Sequence, residues 1–433
     1  MISWKDKRDF WIMGAKIADP AGGKIKTGSV LVQKGMICEV APQKTPETDL
    51  PVLDAGGLVL APGFVDIHTH LREPGFEDKE TIETGTAAAA SGGYTSIMCM
   101  ANTQPVVDDP SVVEYIRRRA EMSGRCRVYV AGAVTRGLAG EEITEFHHLK
   151  KAGAVALSDD GRFIVNSKVM RLALEYAKMI GLPVISHCED PYLADDAQMN
   201  ESYVSTRLGL RGAPAASEEI AIARDIRLAA LTGGRLHIAH VSTAGGVDLV
   251  RKAKKTGIAV TAEASPHHLT LDETMLENYD RNFKVNPPLR GARDIAALRA
   301  GLKDGTIDCI ATDHAPHTEI DKQVEFNYAP SGMTGLQTAF AQLNTELVEK
   351  GEMELVELLR LLSTAPASVI GIPGGRLEPG LPADLVLLDP KEEWVFERSM
   401  VRSRSYNTPL IGKKFTGRVH GVFLEGKWYS DVS

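Results

Sequence analysis

The sequence predicts an α/β protein: a (β/α)8 TIM-like barrel carrying a small β-sandwich domain built from both termini. Three observations lead there. The chain has 433 residues, enough for a barrel of roughly 250–300 residues and a satellite domain. Eight short apolar runs lie between residues 63 and 313, most of them separated by helix-like segments. The two ends share a different texture, strand-rich and punctuated by Pro and Gly.

Near the N-terminus, FWIMGAKIAD, GSVLVQKGMICEVA and PVLDAGGLVLAPG alternate β-rich runs with turns and lack helical periodicity. GRLEPGLPADLVLLD (375–389) and GRVHGVFLEGKWYSD (417–431) look alike. Residues 1–62 and 370–433 are therefore expected in one β domain, with 63–369 in the barrel. The barrel strands read as GFVDIHTH (63–70), YTSIMCM (94–100), RVYVAGA (127–133), GAVALSDD (153–160), LPVISH (182–187), RLHIAH (235–240), IAVTAEA (258–264) and DCIATD (308–313). Between them lie segments such as SKVMRLALEYAKMIG and SEEIAIARDIRLAALTGG, ending in Gly as helix C-termini often do. Strands that are apolar on both faces and alternate with helices indicate a buried parallel sheet, and eight of them a closed barrel. An open doubly wound sheet is the alternative, but no GxGxxG or Walker loop follows any strand.

Composition narrows the function classes. Hydrophobic residues make up 43% and charged residues 24%, ordinary for a globular protein. The net charge of −8 argues against nucleic acid or an acidic membrane surface as main partner. A small anionic substrate is still compatible, because local fields at a site outweigh the total. Cys38, Cys99, Cys126, Cys188 and Cys309 show no CxxC spacing and read as reduced thiols of a cytoplasmic protein. MISWKDKRDFW has no apolar run leading to a cleavage site, and no stretch approaches the roughly 20 apolar residues of a membrane span. A soluble, unprocessed chain is expected.

The chemistry sits where the strands end. His68 and His70 close the first strand and, spaced by two, share a face. Asp159 and Asp160 end the fourth, His187 the fifth, His240 the sixth and Asp313 the eighth. Active sites of such barrels lie at these C-terminal strand ends. Any one of these residues alone is ordinary, as a satisfied histidine or a helix N-cap. Four histidines and a carboxylate at one level, brought there by several different strands, point to metal. Imidazole and carboxylate suit Zn²⁺, with Mn²⁺, Co²⁺ or Fe²⁺ as alternatives. The surplus over the three ligands of one catalytic zinc suggests two ions sharing a carboxylate. Neighbouring strand residues face opposite ways, so only one of Asp159 and Asp160 should enter the site, and spacing does not choose between them. His147 and His148 read as surface residues. His237, three before His240, reads as facing the other side. His267, His268 and His420 read as structural, while His317, near Asp313, is close enough to touch substrate.

PGFVDIHTHLREPG, ETIETGTAAAASGGYTS, ANTQPVVD, LSDDG, ISHCED, AEASPHHL, NPPLRG, ATDHAPHT and PADLVLLD, in this order, resemble the dihydroorotases from residue 10 to the end. The chain is similar to the long bacterial branch, in which an aspartate replaces a carboxylated lysine between the metals. The resemblance implies that His68, His70 and Asp313 bind one ion, His187 and His240 a second, and that Asp160 bridges them. It assigns Arg72, Asn102, Asn286 and His317 to substrate, with the backbone of Ser331 and Gly332. The implied reaction is reversible hydrolysis of (S)-dihydroorotate to N-carbamoyl-L-aspartate in de novo pyrimidine biosynthesis. It would use a metal-bridging hydroxide, with Asp313 as general base and then acid. Two Zn²⁺ per chain, a small anionic substrate, a homo-oligomer and association with aspartate transcarbamoylase are the implied cofactors and partners. Rival readings are another cyclic amidohydrolase (hydantoinase, dihydropyrimidinase or allantoinase) and a non-catalytic scaffold. The former usually carry the bridging lysine, and the latter has lost metal ligands that this chain keeps. One departure is Met100-Ala101-Asn102-Thr103 where the family has MPNT, which frees the backbone before Asn102.

Overall fold

A computed structural model describes residues 9–42 and 49–430. Residues 1–8, on which much of the reading of an unprocessed N-terminus rests, lie outside the described residues.

The strands before the barrel are β1 (Phe10–Asp19), β2 (Lys24–Gln33), β3 (Met36–Pro42), β4 (Val52–Asp54) and β5 (Val59–Pro62). Then come β6 (Phe64–Thr69), β7 (Tyr94–Cys99), β8 (Arg127–Gly132), β9 (Ala154–Ser158), β10 (Val184–Ser186), β11 (Met199–Asn200), β12 (Gly212–Ala213), β13 (Leu236–Ile238), β14 (Val260–Ala264) and β15 (Cys309–Ile310). β11 and β12 pair only with each other. The other eight from β6 to β15 form one parallel sheet in chain order, and each falls on one of the expected runs. The ring is drawn together by a parallel bridge between Thr69 and His314, with the His70 N–H donating to the His314 carbonyl at 2.9 Å.

The two apolar faces of these strands have separate jobs. Phe64, Tyr94, Ile97 and Ile238 pack outward against the helices. Val65, Ile67, Met98, Ala131, Ala156 and Ile185 fill the inside, joined by Ala367, Val369 and Ile370 of the helix Thr364–Ile370. The interior is thus a packed core with its functional groups at the other end, as in barrels of this class. Helices at Ile82–Ser91, Pro110–Ser123, Ser167–Ile180, Ala215–Thr232 and Ala244–Lys255 occupy the expected segments. Thr81, Asp109, Asn166 and Thr243 cap their N-termini with side-chain acceptors, and left-handed Gly181 and Gly233 end two of them.

The remaining strands, β16 (Leu385–Val395), β17 (Lys414–Leu424) and β18 (Lys427–Tyr429), join the N-terminal ones. β16 runs antiparallel to β5, and β5 parallel to β1, so both ends of the chain build one mixed sheet. Phe10 on β1 and Phe423 on β17 are not paired neighbours, yet their rings stack at 5.2 Å. The sheet therefore folds over itself around Ile12, Val30, Leu60 and Leu385. Arg127 of β8 clasps this domain to the barrel through Asp384 (2.9 Å) and Glu425 (2.7 Å).

Phe64 starts the strand that carries His68 and His70. It is fully buried, edge-on to Tyr94 at 5.6 Å and 5.7 Å from Phe340. Phe64→Ala should cost about 3–5 kcal/mol by leaving a cavity, seen as a lowered thermal midpoint in calorimetry. An unchanged midpoint would mean the layer closes over the gap.

Candidate active site

Each strand end delivers its side chain to one place. His68 Nε2 lies 3.2 Å from Asp160 Oδ1, His240 Nε2 3.6 Å and His187 Nδ1 3.7 Å from the same oxygen. The other oxygen, Oδ2, is 3.5 Å from His70 Nε2. Asp313 Oδ1 stands 3.1 Å from His70 Nε2 and 3.6 Å from His68 Nε2. Three backbones here are left-handed without being glycine: Arg72 (φ 62°), His240 (φ 31°) and Asp313 (φ 49°). Such conformations cost about 1 kcal/mol or more and persist only where the surroundings hold them. At His240 the twist breaks strand alternation. His237, expected to face away from His240, therefore meets the same cluster, its Nε2 3.1 Å from Glu263.

The choice between Asp159 and Asp160 is visible in their partners. Asp159 turns away and accepts from the backbone N–H of Val134 (2.8 Å) and Thr135 (2.9 Å), and from the Thr135 hydroxyl. Asp160 faces the imidazoles.

The donor set fits divalent cations. Two groups, His68/Asp160/His240 and His68/His70/Asp313, each bring ligand atoms within 4.8 Å of one another. His68 Nε2 and Asp160 Oδ1 are buried without a hydrogen-bond partner, an arrangement that costs free energy unless something positive sits between them. Burial alone would lower the pKa of His68, but the charges of Asp160 and Glu263 win and raise it well above the usual value. His187 rises to about 10 against burial, through hydrogen bonds to Asp160 and Glu189. Asp160 and Asp313 fall far below the carboxylate range despite burial, through His68 and its neighbours for the first and through the His70 hydrogen bond for the second. A site that holds protons this firmly has a strong demand for positive charge, and metal ions compete for the same lone pairs.

The ligand set has its own support. Glu263, on β14, was not singled out from the sequence. It is 1% exposed and meets His68 Nδ1 at 2.6 Å, His237 Nε2 at 3.1 Å and the His240 N–H at 3.3 Å. Held this way, His68 directs Nε2 at Asp160. The signal was present: a lone carboxylate inside the apolar run IAVTAEA. Asn102 does the same for His70, with Oδ1 at 3.0 Å from Nδ1, while its Nδ2 donates to the Asp160 carbonyl at 3.5 Å and keeps its second N–H for other work. Glu189, also missed, lies 3.4 Å from His187 Nε2 and accepts from Asn286 Nδ2 at 3.0 Å.

A cavity of about 250 Å³ opens over the cluster. His70, Arg72, Asn102, Asp160, His187, His240, Asn286, Asp313, His317, Ser331 and Gly332 all line it, while His68 lies beneath. On one side Arg72 Nε donates to the Pro316 carbonyl (3.1 Å). Its Nη2 stands 3.5 Å from His317 Nε2, which donates to Ser331 O at 2.9 Å. Burial, with the charge of Arg72, holds His317 neutral, well below its ordinary pKa. His314 belongs elsewhere: Gly335 N–H donates to its Nδ1 (3.2 Å), and its Nε2 faces the buried Glu80 at 3.2 Å.

Comparisons with known proteins place the chain in a family. A sequence profile described as Dihydro-orotase-like matches residues 57–245. The protein named dihydroorotase in Pelotomaculum thermopropionicum is 49% identical over 416 residues, 96% of this chain and 97% of that one. The chain belongs to the dihydroorotase family. Its counterpart of the same name in Geobacter sp. strain M21 is 45% identical over 96% of this chain and 98% of its own. The solved structure of an L-hydantoinase (dihydropyrimidinase) from Arthrobacter aurescens superposes with a TM-score of 0.89 at 24% identity, over 98% and 96% of the two chains. That likeness shows the fold.

Glu263→Gln should weaken retention of bound divalent metal by about 10–100-fold in chelator competition, as loss of such a supporting carboxylate commonly does. Asp159→Ala should keep its metal but unfold at lower temperature, since two buried N–H groups lose their acceptor at about 1–3 kcal/mol each. The reverse pattern would assign the two carboxylates wrongly.

Proposed function

We propose that this chain interconverts (S)-dihydroorotate and N-carbamoyl-L-aspartate, as a zinc-dependent cyclic amidohydrolase of pyrimidine biosynthesis. The observation that carries the reading is Arg72. Its guanidinium lines the cavity, and its hydrogen-bond neighbours there are the Pro316 carbonyl and His317 rather than a carboxylate. Burial lowers its pKa to about 10, which leaves it charged at neutral pH. An unpaired, partly buried cation at a cavity wall suits a substrate carboxylate, which a guanidinium can grip by a two-pronged fork. Neutral cyclic ureides offer nothing at that place.

His68, His70 and Asp313 would hold one zinc ion and His187 and His240 the other, with Asp160 between. Bound ions supply a polarised ring carbonyl and a water of lowered pKa. The chain's own residues do the rest. Arg72, with His317 and the Ser331–Gly332 backbone, fixes the substrate carboxylate and so the ring's orientation. Glu189 occupies the N–H side of Asn286, so its carbonyl oxygen is left to accept from a ring N–H. Asn102 offers N–H to a ring oxygen. Asp313, ionised at neutral pH, accepts the proton of the attacking water and returns it to the departing ring nitrogen. The cyclising direction runs these transfers in reverse. A cytoplasmic setting fits five free cysteines, four of them buried. A homo-oligomer and an association with aspartate transcarbamoylase complete the proposal.

Side-by-side assay of the purified protein with dihydroorotate, hydantoin and allantoin tests it. Turnover of dihydroorotate should dominate, and preferential turnover of either uncharged ring would overturn it. Asp313→Asn preserves shape and an oxygen ligand but cannot take a proton. It should keep metal yet lose at least about 100-fold in kcat. Near wild-type turnover with metal in place would make Asp313 a ligand only.

A further inference from the structure

The groups that face the substrate carboxylate come from three separate loops: Arg72 after β6, His317 after β15, and Ser331–Gly332 further on. A segment outside the barrel ties all three together. Residues 403–408, between β16 and β17, lie across them, with Ser403, Ser405 and Asn407 all buried. Ser403 donates to the Glu80 carboxylate, the Arg404 N–H reaches Glu80 at 3.0 Å, and Ser405 Oγ donates to Lys79 O at 2.6 Å. This fastens the segment to the loop that carries Arg72.

Asn407 joins the other two loops. Its side-chain amide has one acceptor and two N–H donors, and each serves a different residue. Oδ1 accepts from the His317 backbone N–H at 3.0 Å. Nδ2 donates to Ala315 O at 3.0 Å and Gly332 O at 3.1 Å. Its own carbonyl takes the Thr334 N–H at 3.0 Å. The loops it joins touch: a Cβ on Gly332 (φ 131°) would come within 2.7 Å of Ala315 Cβ. The spacing of His317 from the Ser331–Gly332 backbone is held directly by the bonds from His317 Nε2 to Ser331 O (2.9 Å) and from Ala315 N–H to Met333 O (2.9 Å), and from behind by this one amide supplied by the C-terminal part of the chain.

We infer that Asn407 is a positioning residue that sets the carboxylate-reading side of the cavity without touching substrate. The inference rests on the proposed carboxylate role of Arg72 and His317. Asn407→Ala removes the amide that braces both loops from behind, while leaving their direct bonds and every proposed metal ligand in place. Asn407→Asp keeps the shape and the acceptor, but sets a carboxylate against two carbonyl oxygens.

Steady-state kinetics on the metal-loaded enzyme, with metal content and thermal midpoint measured on the same samples, tests this. Asn407→Ala should raise KM for dihydroorotate by about three- to tenfold, the worth of one lost hydrogen bond. Metal content should be unchanged and kcat much less affected. Asn407→Asp should raise KM further. Gly332→Ala probes the same contact from the opposite side and should also raise KM, which keeps the test valid if Asn407→Ala fails to fold. Unchanged KM in these variants, or a loss of metal and kcat with KM intact, overturns the positioning role. Arg72→Met is the control. If it raises KM while the Asn407 and Gly332 variants do not, only the inference about Asn407 fails. If Arg72→Met leaves KM unchanged as well, the carboxylate reading itself fails and the inference falls with it.

Discussion

Four imidazoles from three strands turn their nitrogens toward one buried carboxylate, that of Asp160, at 3.2–3.7 Å. Much of the barrel mouth serves to hold that arrangement against its own electrostatics. A carboxylate and histidines removed from water are costly unless paired and hydrogen-bonded. Here the pairing extends outward in layers. Asp160 and Asp313 face the histidines, Glu263 and Asn102 grip the far nitrogens of His68 and His70, and His237 holds Glu263. Below them the barrel holds an apolar core closed by the helix Thr364–Ile370, which gives the strand ends a firm base.

The same demand explains where the backbone departs from comfortable geometry. Arg72, His240 and Asp313 are left-handed, and all three line the cavity. Each follows a barrel strand, where an extended chain would carry the side chain on along the strand direction. The twist turns it over the mouth instead. The ring contact between Thr69 and His314 holds two of these turns side by side, since Arg72 and Asp313 flank it. Fold closure and site geometry are thus parts of one constraint.

Much of this was legible in the sequence because it follows short-range rules. Strands apolar on both faces, Gly-terminated helices and polar residues at strand ends are local signals, and all eight barrel strands fall on the apolar runs. What escaped depends on partners distant in the chain. Glu263 meets His68 across 195 residues, and Asn407 meets Ala315 across 92. A carboxylate inside an apolar strand could have marked the first. Nothing in SYNTPL marks Asn407, because its role exists only once the C-terminal segment lies over the mouth. His237 was misread for a related reason: alternation assumes an extended backbone, and His240 does not have one.

On the proposed function, the cluster around Asp160 takes two cations. Titrating metal-free protein with Zn²⁺, while counting bound ions by elemental analysis and following activity on the same samples, tests it most directly. Two ions per chain at saturation, with full activity reached only as the second binds, is the expected result. Full activity with a single ion bound would contradict a site built on a shared carboxylate.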